Sequence, residues 1–365
     1  MSQPLRNRLE TVMSVIIKGN IIAIALLLIS FSAHSTSDAN SSQKSAVVQQ
    51  LNKFKSFADA AELFNNFSRS IQPAIDQNAD IPENLDTSLD QFIIGGNSAS
   101  RNEYREYALV ILTDGRGNIA GLCGGSLIAR NKVLTAAHCA QARASTYLVI
   151  PGFFSFNDNV SQSSLFNVSR VADHPLYRDD DFGNDIAVLT LSRNTSGPVL
   201  SVFENGSNLS GRNATVIGTG LTSTNPPITS DFLQEVNTPI LPNSTCNDSW
   251  QQLAGIRPVT STMVCAGFLT DGRGSCSGDS GGPLIANINN QRVIVGTVSF
   301  GISACEFNRG TSVYARTSAL SDFIRSESPS TEFISLATNI APIVMLLLGD
   351  DEVDEDDTEP LVPEF

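Results

Sequence analysis

Short apolar runs separated by turn-forming residues dominate the middle of this chain. From Phe92 to about Ser328, stretches rich in Val, Ile, Leu and Thr, such as EYALVILTD, DIAVLTL and RVIVGTVSF, alternate with clusters of Gly, Pro, Asn and Asp. This pattern is typical of many short antiparallel strands in a barrel or a sandwich. The last stretch, SALSDFIRSE, instead has the spacing of a short amphipathic helix. The pattern therefore predicts an all-β domain over residues 93–328, closed by one C-terminal helix.

A helical pattern precedes this domain. The segment from Thr36 to Phe92 is polar and free of cysteine, but apolar residues recur at helical spacing between Ser45 and Ile71. They predict an amphipathic helix or a helical hairpin. A linker with some helix would show the same pattern. The sharper hypothesis, which we adopt for residues 36–92, is a pro-segment that packs on the following domain.

The N-terminus has the layout of a secretory signal. Basic residues precede an apolar run from Ile21 to Phe31, and small residues follow it. We therefore predict a signal peptide over residues 1–35, cleaved near Ser35, and a secreted protein that is either extracellular or periplasmic. The alternative is an uncleaved membrane anchor, which is disfavoured because the run is well short of the ~20 apolar residues of a spanning helix.

The C-terminus combines an apolar segment with an acidic one. Residues 329–349 are mostly apolar but are interrupted by Asn339 and Pro342. Weak membrane association, a sorting signal and a removable anchor are alternative roles for this segment. Residues 350–365 contain nine acids and no base, so most of the formal net charge of −14 belongs to a tail that we expect to be disordered. Clustered Lys and Arg are absent, and we expect no nucleic-acid partner.

Six cysteines follow the signal: Cys123, Cys139, Cys246, Cys265, Cys276 and Cys305. An even number in an exported chain indicates disulfides, although the sequence alone does not select the pairing. Metal binding is the weaker interpretation, because no two cysteines are spaced CxxC and no histidine lies in a ligand-like cluster. We expect neither a metal nor another cofactor.

Candidate chemistry is concentrated around Ser280, which lies in GDSGGP. A serine hydroxyl is a poor nucleophile until a base takes its proton, and that base is usually a histidine oriented by a carboxylate. His138, in VLTAAHCA, has small neighbours that leave its ring accessible, whereas His174 lies in a polar stretch typical of a loop. Asp185 precedes the apolar run IAVLTL, and a buried acid there would need a partner such as an imidazole N–H. Taken alone, Asp185 would instead be expected to cap a turn.

Chain order separates the candidate arrangements. GDSGG also fits the G-x-S-x-G elbow of α/β-hydrolases, but that fold places its histidine after the serine, and no histidine follows His174. A subtilisin-like order needs an aspartate before the histidine, where the domain offers little beyond Asp114 in a Gly-rich turn. The order that remains is His138, Asp185, Ser280.

A resemblance to the chymotrypsin (S1) family of serine proteases rests on three motifs that occur in the family's order: TAAHC, NDIAVL and GDSGGP. It spans roughly residues 93–328 and implies two six-stranded antiparallel Greek-key β-barrels with a C-terminal α-helix. The roles below are inherited from the family. His138 would act as general base and then acid, Asp185 would hold its tautomer, and Ser280 would attack the scissile carbonyl. The N–H groups of Gly278 and Ser280 would form the oxyanion hole.

The resemblance also implies three disulfides: Cys123–Cys139, Cys246–Cys265 and Cys276–Cys305. It further implies that IIGGNSA is a mature N-terminus, whose freed Ile93 amine would pair with Asp279 after cleavage. The residue before that cut is Phe92, where many family members carry Arg or Lys. A trypsin-like activating protease is therefore not expected. The hypothesis is self-activation, in which the enzyme or a relative of like specificity cuts after Phe92.

By spacing from Ser280, the floor of the substrate pocket corresponds to Gly274, where trypsin-like enzymes carry an aspartate. The other pocket residues that the family implies are Ser275, Ser299, Phe300, Gly301 and Ser312. Without an acid at the floor, nothing would offset the desolvation of a Lys or Arg side chain. We therefore expect an uncharged pocket that takes an apolar residue such as Leu, Met, Phe or Tyr.

The expected function is that of a secreted serine endopeptidase, made as a zymogen, which acts on proteins or peptides. A different class of function, a catalytically silent protease-like binding protein, would follow from loss of a triad residue, but all three residues are present. A third hypothesis is that the C-terminal segment displays the protease at a membrane surface.

Overall fold

A computed structural model describes residues 34–53, 95–141, 144, 146–205, 208–224, 227–270, 272–301 and 310–336 of the chain. Its strands are, in chain order, β1 (His34–Ser35), β2 (Asn97–Ser98), β3 (Tyr107–Thr113), β4 (Ile119–Ala129), β5 (Lys132–Thr135), β6 (Thr146–Pro151), β7 (Phe166–Asp173), β8 (Ala187–Leu191), β9 (Ser201–Phe203), β10 (Asn213–Gly218), β11 (Leu221–Thr224), β12 (Pro227–Thr229), β13 (Gln234–Leu241), β14 (Met263–Phe268), β15 (Pro283–Ile288), β16 (Gln291–Phe300), β17 (Gly310–Arg316) and β18 (Phe333–Ile334). Its α-helices are α1 (Ser41–Lys53), α2 (Ala137–Gln141), α3 (Asn243–Ala254) and α4 (Ser321–Glu327).

Twelve of these strands form two closed six-stranded antiparallel barrels. In the first barrel the strand order is β7-β6-β3-β4-β5-β8, and β8 closes it by pairing with β7. In the second barrel the order is β15-β10-β13-β14-β17-β16, and β16 closes it by pairing with β15. Helix α4 follows the last barrel strand. The predicted all-β architecture with a C-terminal helix is therefore confirmed.

Strand β3 shows why the apolar runs are so continuous. All seven of its residues are buried. Ala108 and Val110 belong to an apolar cluster made mainly by the first barrel, whereas the alternate residues Leu109 and Ile111 belong to a larger cluster that also includes α1 and parts of the second barrel. Successive side chains of a strand point to opposite faces, so a strand that is covered on both faces has an unbroken apolar sequence.

Two elements precede the barrels. Strand β1 pairs antiparallel with β7, and α1 packs on the same barrel through the buried residues Val47 and Leu51. Helix α1 contains the first part of the predicted helical pattern, and residues 54–92 with the rest of that pattern lie outside the described residues. Most of the predicted signal peptide, residues 1–33, also lies outside them. The predicted cleavage point near Ser35 falls at the end of β1.

A short extension follows α4. Strand β18 pairs in parallel with β9, which itself pairs in parallel with β16. The N–H groups of Val202 and Glu204 donate to the carbonyl oxygens of Glu332 and Ile334, each at 2.9 Å. Residues up to Leu336 are thus part of the folded domain, and the rest of the predicted apolar segment and the acidic tail lie outside the described residues. In the part of the chain that the structure describes, no helix has the length and apolar character of a membrane span.

Candidate active site

Strand β5 and helix α2 position His138. Strand β5 ends at Thr135, and His138 is the second residue of α2. The Cys123–Cys139 disulfide joins α2 to the middle of β4. His138 is only 4% exposed, so the expectation that small neighbours leave its ring accessible is wrong: those neighbours are themselves buried, and the ring packs against Phe182. These contacts hold the imidazole in one position.

Two hydrogen bonds link His138 to Asp185, which precedes β8. The backbone N–H of His138 donates to Oδ1 of Asp185 at 2.9 Å, and Nδ1 of the ring lies 2.7 Å from Oδ2. The carboxylate accepts a proton only from an Nδ1–H tautomer, in which Nε2 keeps its lone pair. Within the described residues, Nε2 is buried and makes no hydrogen bond. The pair therefore leaves Nε2 available as a base.

Asp185 has a third hydrogen-bond donor in Ser299. The Ser299 hydroxyl donates to Oδ2 of Asp185 at 2.5 Å. A buried carboxylate needs such donors because it has lost its water. The family resemblance places Ser299 in the wall of the substrate pocket, and the sequence gives no sign of this contact because 114 positions separate the two residues.

Ser280 lies in a turn between the two barrels. Its carbonyl oxygen accepts from the N–H of Gly124 in β4 at 2.7 Å, and the N–H of Gly281 donates to the carbonyl of Val298 in β16 at 2.8 Å. Gly281 has a φ of 78°, and a Cβ there would lie 2.2 Å from Oγ1 of Thr135. Glycine is therefore required after Ser280. The turn is attached to β4 one residue from the disulfide that holds α2.

The backbone before Ser280 also requires glycine. Gly278 has a φ of 97°, which residues with a Cβ rarely adopt. Among the described residues, neither the N–H of Gly278 nor that of Ser280 has a backbone acceptor. An oxyanion hole needs N–H groups of this kind, which are fixed in position and free to donate.

Asp279 is fully buried beneath this turn. Its Oδ1 accepts from the N–H of Gly220 and its Oδ2 from the N–H of Cys276, each at 2.8 Å. Burial raises the pKa of Asp279 to about 7, and the two hydrogen bonds oppose the rise. A Cβ at Gly218 would lie 1.9 Å from Oδ1, so glycine there makes room for the carboxyl group. The predicted partner, the amine of Ile93, lies outside the described residues.

Comparison with known proteins decides the family. The family model for trypsin matches residues 93–324, which is well over half of the chain. The chain belongs to the trypsin family. It is a chymotrypsin-like S1 serine protease, as its three motifs predict. The predicted signal peptide, the predicted pro-segment and the C-terminal tail lie outside the matched residues.

Several relatives of this trypsin-family protease are chymotrypsins or elastases by name. Chymotrypsin of Phaedon cochleariae is 37% identical over 60% of this chain and 76% of the relative. Chymotrypsin-like elastase family member 1 of Canis lupus familiaris is 32% identical over 64% of this chain and 91% of the relative. The protein of that name from Rattus norvegicus is 34% identical over 62% of this chain and 86% of the relative.

A chain of aromatic contacts leads from His138 through Phe182 to two further rings. Phe182 meets the imidazole edge-on with a centroid distance of 5.4 Å and lies 5.5 Å from Phe300. Trp250 in α3 meets Phe300 at 5.7 Å. Of these three residues, the family resemblance predicts only Phe300 as part of the site. Phe182 could have been suspected because it lies three residues before Asp185.

Several predicted pocket residues converge on Ser312. A Cβ at Gly274 would lie 3.1 Å from Oγ of Ser312, and a Cβ at Gly301 would lie 4.0 Å from the same atom. Ser312 and Gly274 are buried, and Ser275 is half-buried. The guanidinium of Arg273 stacks on the ring of Phe268 at 4.1 Å. The group of Gly274, Ser275, Gly301 and Ser312 carries no charge.

The cysteines form structural bridges. Besides Cys123–Cys139, the structure contains Cys246–Cys265, which joins α3 to β14. Cys276 is also disulfide-bonded, and its predicted partner Cys305 lies outside the described residues. Ligand atoms of Cys123, His138 and Cys139 lie within 4.8 Å of one another. They do not form a metal site, because the two sulfurs are bonded to each other and Nδ1 faces Asp185.

Proposed function

We propose that this chain is a secreted serine endopeptidase whose catalytic triad is His138, Asp185 and Ser280. The observation that carries the proposal is the buried His138–Asp185 pair, in which Nε2 of the imidazole remains free to accept a proton. The attachment of the Ser280 turn to β4 and β16 supports it, because it holds this serine where the two barrels meet.

In the proposed reaction, Nε2 of His138 takes the hydroxyl proton as Oγ of Ser280 attacks the scissile carbonyl carbon. Asp185 stabilises the imidazolium that forms. The N–H groups of Gly278 and Ser280 bind the oxyanion, and each donor contributes about 3 kcal/mol to transition-state binding. His138 then gives the proton to the leaving amine as the C–N bond breaks. Water, activated by the same imidazole, hydrolyses the acyl-enzyme.

The proposed specificity is for apolar residues before the scissile bond. The four described residues Gly274, Ser275, Gly301 and Ser312 support it, since none of them offers a counter-charge to a Lys or Arg side chain that loses its hydration there. The similarity to proteins named chymotrypsin and chymotrypsin-like elastase agrees with this choice.

The proposed activation is a cut before Ile93. The freed ammonium would pair with the carboxylate of Asp279, whose pKa burial otherwise raises to about 7. A neighbouring positive charge would lower that pKa and stabilise the ionised acid. With Phe92 before the cut, an enzyme of the proposed specificity can activate its own precursor.

Profiling a diverse peptide library with the chain processed at Ile93 tests the reaction and the pocket together. We expect cleavage after Leu, Met, Phe or Tyr, and none by the processed Ser280→Ala chain. Strong preference for Arg or Lys would contradict the proposed pocket. Absence of hydrolysis by the processed wild-type chain would favour a silent binding protein.

Self-activation is tested separately. Purified Ser280→Ala precursor is incubated with active enzyme, and the N-termini of the products are sequenced. We expect a new N-terminus at Ile93. If the active enzyme never generates that terminus, a different protease activates this chain.

A further inference from the structure

Residues 36–53, which we call the docked segment, fold onto the first barrel as a structural part of it. At its first residue, the hydroxyl of Thr36 donates to the carbonyl of Val168 in β7. In α1, Val47 and Leu51 are 0% and 1% exposed. Both belong to the apolar cluster that contains alternate residues of β3. The docked segment thus covers apolar surface that would otherwise face water.

Two carboxamide side chains of α1 bond to backbone groups of the barrel. Oε1 of Gln50 accepts from the N–H of Ile119 at 3.1 Å, and its Nε2 donates to the carbonyl of Gly117 at 3.1 Å. Asn52 exchanges a similar pair with Val160, at 3.2 Å and 3.3 Å. Backbone groups of this kind need partners when they are shielded from water. The two carboxamides therefore satisfy these backbone N–H and C=O groups, as the backbone of a neighbouring strand would.

The start of α1 packs closely against the turn before β4. Asn40 and Gln43 exchange two hydrogen bonds of 2.9 Å between backbone N–H and side-chain oxygen, which is a capping box. Nε2 of Gln43 also donates to the carbonyl of Gly115 at 3.1 Å. A Cβ at Gly117, whose φ is 87°, would lie 3.0 Å from Cα of Gln43. Glycine at this position allows the close approach of the helix.

None of these contacts involves the peptide bond between Phe92 and Ile93. No cysteine occurs in residues 36–92, so no disulfide would join the docked segment to the protease domain after a cut there. The contacted groups lie on β7, at the start of β4 and on the loops at 114–118 and 160–165, and none of them belongs to the proposed triad. A cut before Ile93 would therefore leave the apolar face of α1 buried.

We propose that the docked segment stays bound after activation, so that the active protease consists of two chains held together without a disulfide. This proposal rests on the activation cut proposed above. The binding surface is the outside of the first barrel, formed by β7, the start of β4 and the loops at 114–118 and 160–165. Its occupant is this chain's own residues 36–53, which contribute buried side chains and hydrogen-bond partners that the barrel otherwise lacks.

The test uses the full-length Ser280→Ala chain with the recognition sequence of an unrelated, sequence-specific protease inserted directly before Ile93. After the cut, native size-exclusion chromatography is followed by denaturing mass spectrometry of each peak. We expect the two fragments to elute together. Separate elution of the smaller fragment, with the larger fragment still folded, overturns the proposal.

Paired variants locate the contact. Val47→Asp with Leu51→Asp puts two carboxylates against the apolar cluster. The dissociation constant of the two fragments should rise about 100-fold or more. Ser42→Asp with Gln49→Asp adds the same charge at two exposed positions of α1 and should leave retention unchanged. Equal retention in the two variants overturns the proposal.

Hydrogen exchange keeps the proposal testable where the doubly substituted chain fails to fold. In the cut Ser280→Ala chain, the amides of Ile119 and Val160 should keep the protection that they have before the cut. Loss of protection at both amides overturns retention. These readouts need no hydrolysis, and hydrolysis is measured separately on the wild-type chain. Failure of retention and failure of the protease function are therefore distinguishable.

Discussion

The hydroxyl of Ser299 contacts Asp185 across the junction of the two barrels. Ser299 belongs to β16 of the second barrel, whereas Asp185 precedes β8 of the first. The contact therefore does two things at the scale of single residues. It stabilises the charge of the buried carboxylate, and it ties the orientation of His138 to the relative position of the barrels.

Ser299→Ala should lower kcat/KM about tenfold. A hydrogen bond to a charged group contributes about 1.5–3 kcal/mol, and a tenfold fall assigns about 1.4 kcal/mol of it to the transition state, in which Asp185 stabilises the imidazolium. Steady-state kinetics on an apolar peptide substrate measures the change. Ser299→Thr retains a hydroxyl and serves as the control. Unchanged kcat/KM in a correctly folded Ser299→Ala enzyme would show that this contact does not support catalysis.

Asp279 makes the stability of the uncut precursor depend on pH. Its folded-state pKa of about 7 lies above the ordinary value, so the native state holds a proton that the unfolded chain has already lost. The free energy of unfolding should therefore fall as pH rises from about 4 to about 7. Urea denaturation of the Ser280→Ala precursor across this range measures the slope. The Ser280→Ala chain with Asp279→Asn should show a smaller slope, and equal slopes would contradict the assignment.

At the scale of elements, β18 extends the protease domain beyond α4. Its pairing with β9 is reinforced by Arg325, whose guanidinium stacks on the ring of Phe333 at 3.9 Å, and by the hydroxyl of Ser201, which donates to Glu332 at 2.7 Å. A test of membrane display by the C-terminal segment should therefore use a chain that ends at Leu336, so that the domain keeps this strand.

A chain that ends at Ser328 should have a melting temperature about 5 °C below that of a chain that ends at Leu336. Two backbone hydrogen bonds to β9 are lost, each worth about 1 kcal/mol, and each kcal/mol shifts the melting temperature of a domain of this size by about 2–4 °C. Calorimetry of both chains, with the full-length chain as reference, measures the difference. Equal melting temperatures would mean that β18 adds no stability.

At the scale of the whole molecule, a few long-range contacts hold the two barrels together. Nη2 of Arg292 in β16 lies 2.6 Å from Oε1 of Glu106, which precedes β3 and is buried. Burial raises the pKa of Glu106, and Arg292 opposes the rise. At the end of the domain, α4 packs on the first barrel through a salt bridge between Glu327 and Arg170 of β7. The proposed triad depends on both barrels, because His138 and Asp185 adjoin strands of the first and Ser280 precedes β15 of the second.

Arg292→Ala should destabilise the protein by about 2 kcal/mol at pH 7. The substitution leaves the buried carboxylate of Glu106 without its cation. The loss of stability is moderated because Arg292 is partly exposed to solvent. The pKa of Glu106 rises further in the variant, so protonation of this carboxylate should restore part of the stability as the pH is lowered. Urea denaturation at pH 7 and at successively lower pH values measures this. Adding Glu106→Gln should recover most of the loss at pH 7, and no recovery would exclude the ion pair as the cause.

Helix α1 illustrates what a local pattern can and cannot predict. The spacing of Val47 and Leu51 predicts that one face of the helix is covered, and the structure buries both residues. The spacing does not say which surface covers that face. The apolar cluster that covers it includes alternate residues of β3, the backbone groups that bond to Gln50 and Asn52 lie more than 60 residues away, and glycine at position 117 allows the close approach.

The family, the strand-rich domain and the order His138, Asp185, Ser280 can be predicted from the chain alone, because each depends on short stretches of adjacent residues. Three contacts are visible only in the folded protein: Ser299 bonds to Asp185, Phe182 packs on the imidazole, and β18 pairs in parallel with β9. These contacts join residues that are distant in the chain or unrelated by any local repeat. The polarity of a position predicts whether its side chain is buried or exposed. Which residue it contacts depends on how the strands pair and on how the two barrels pack against each other.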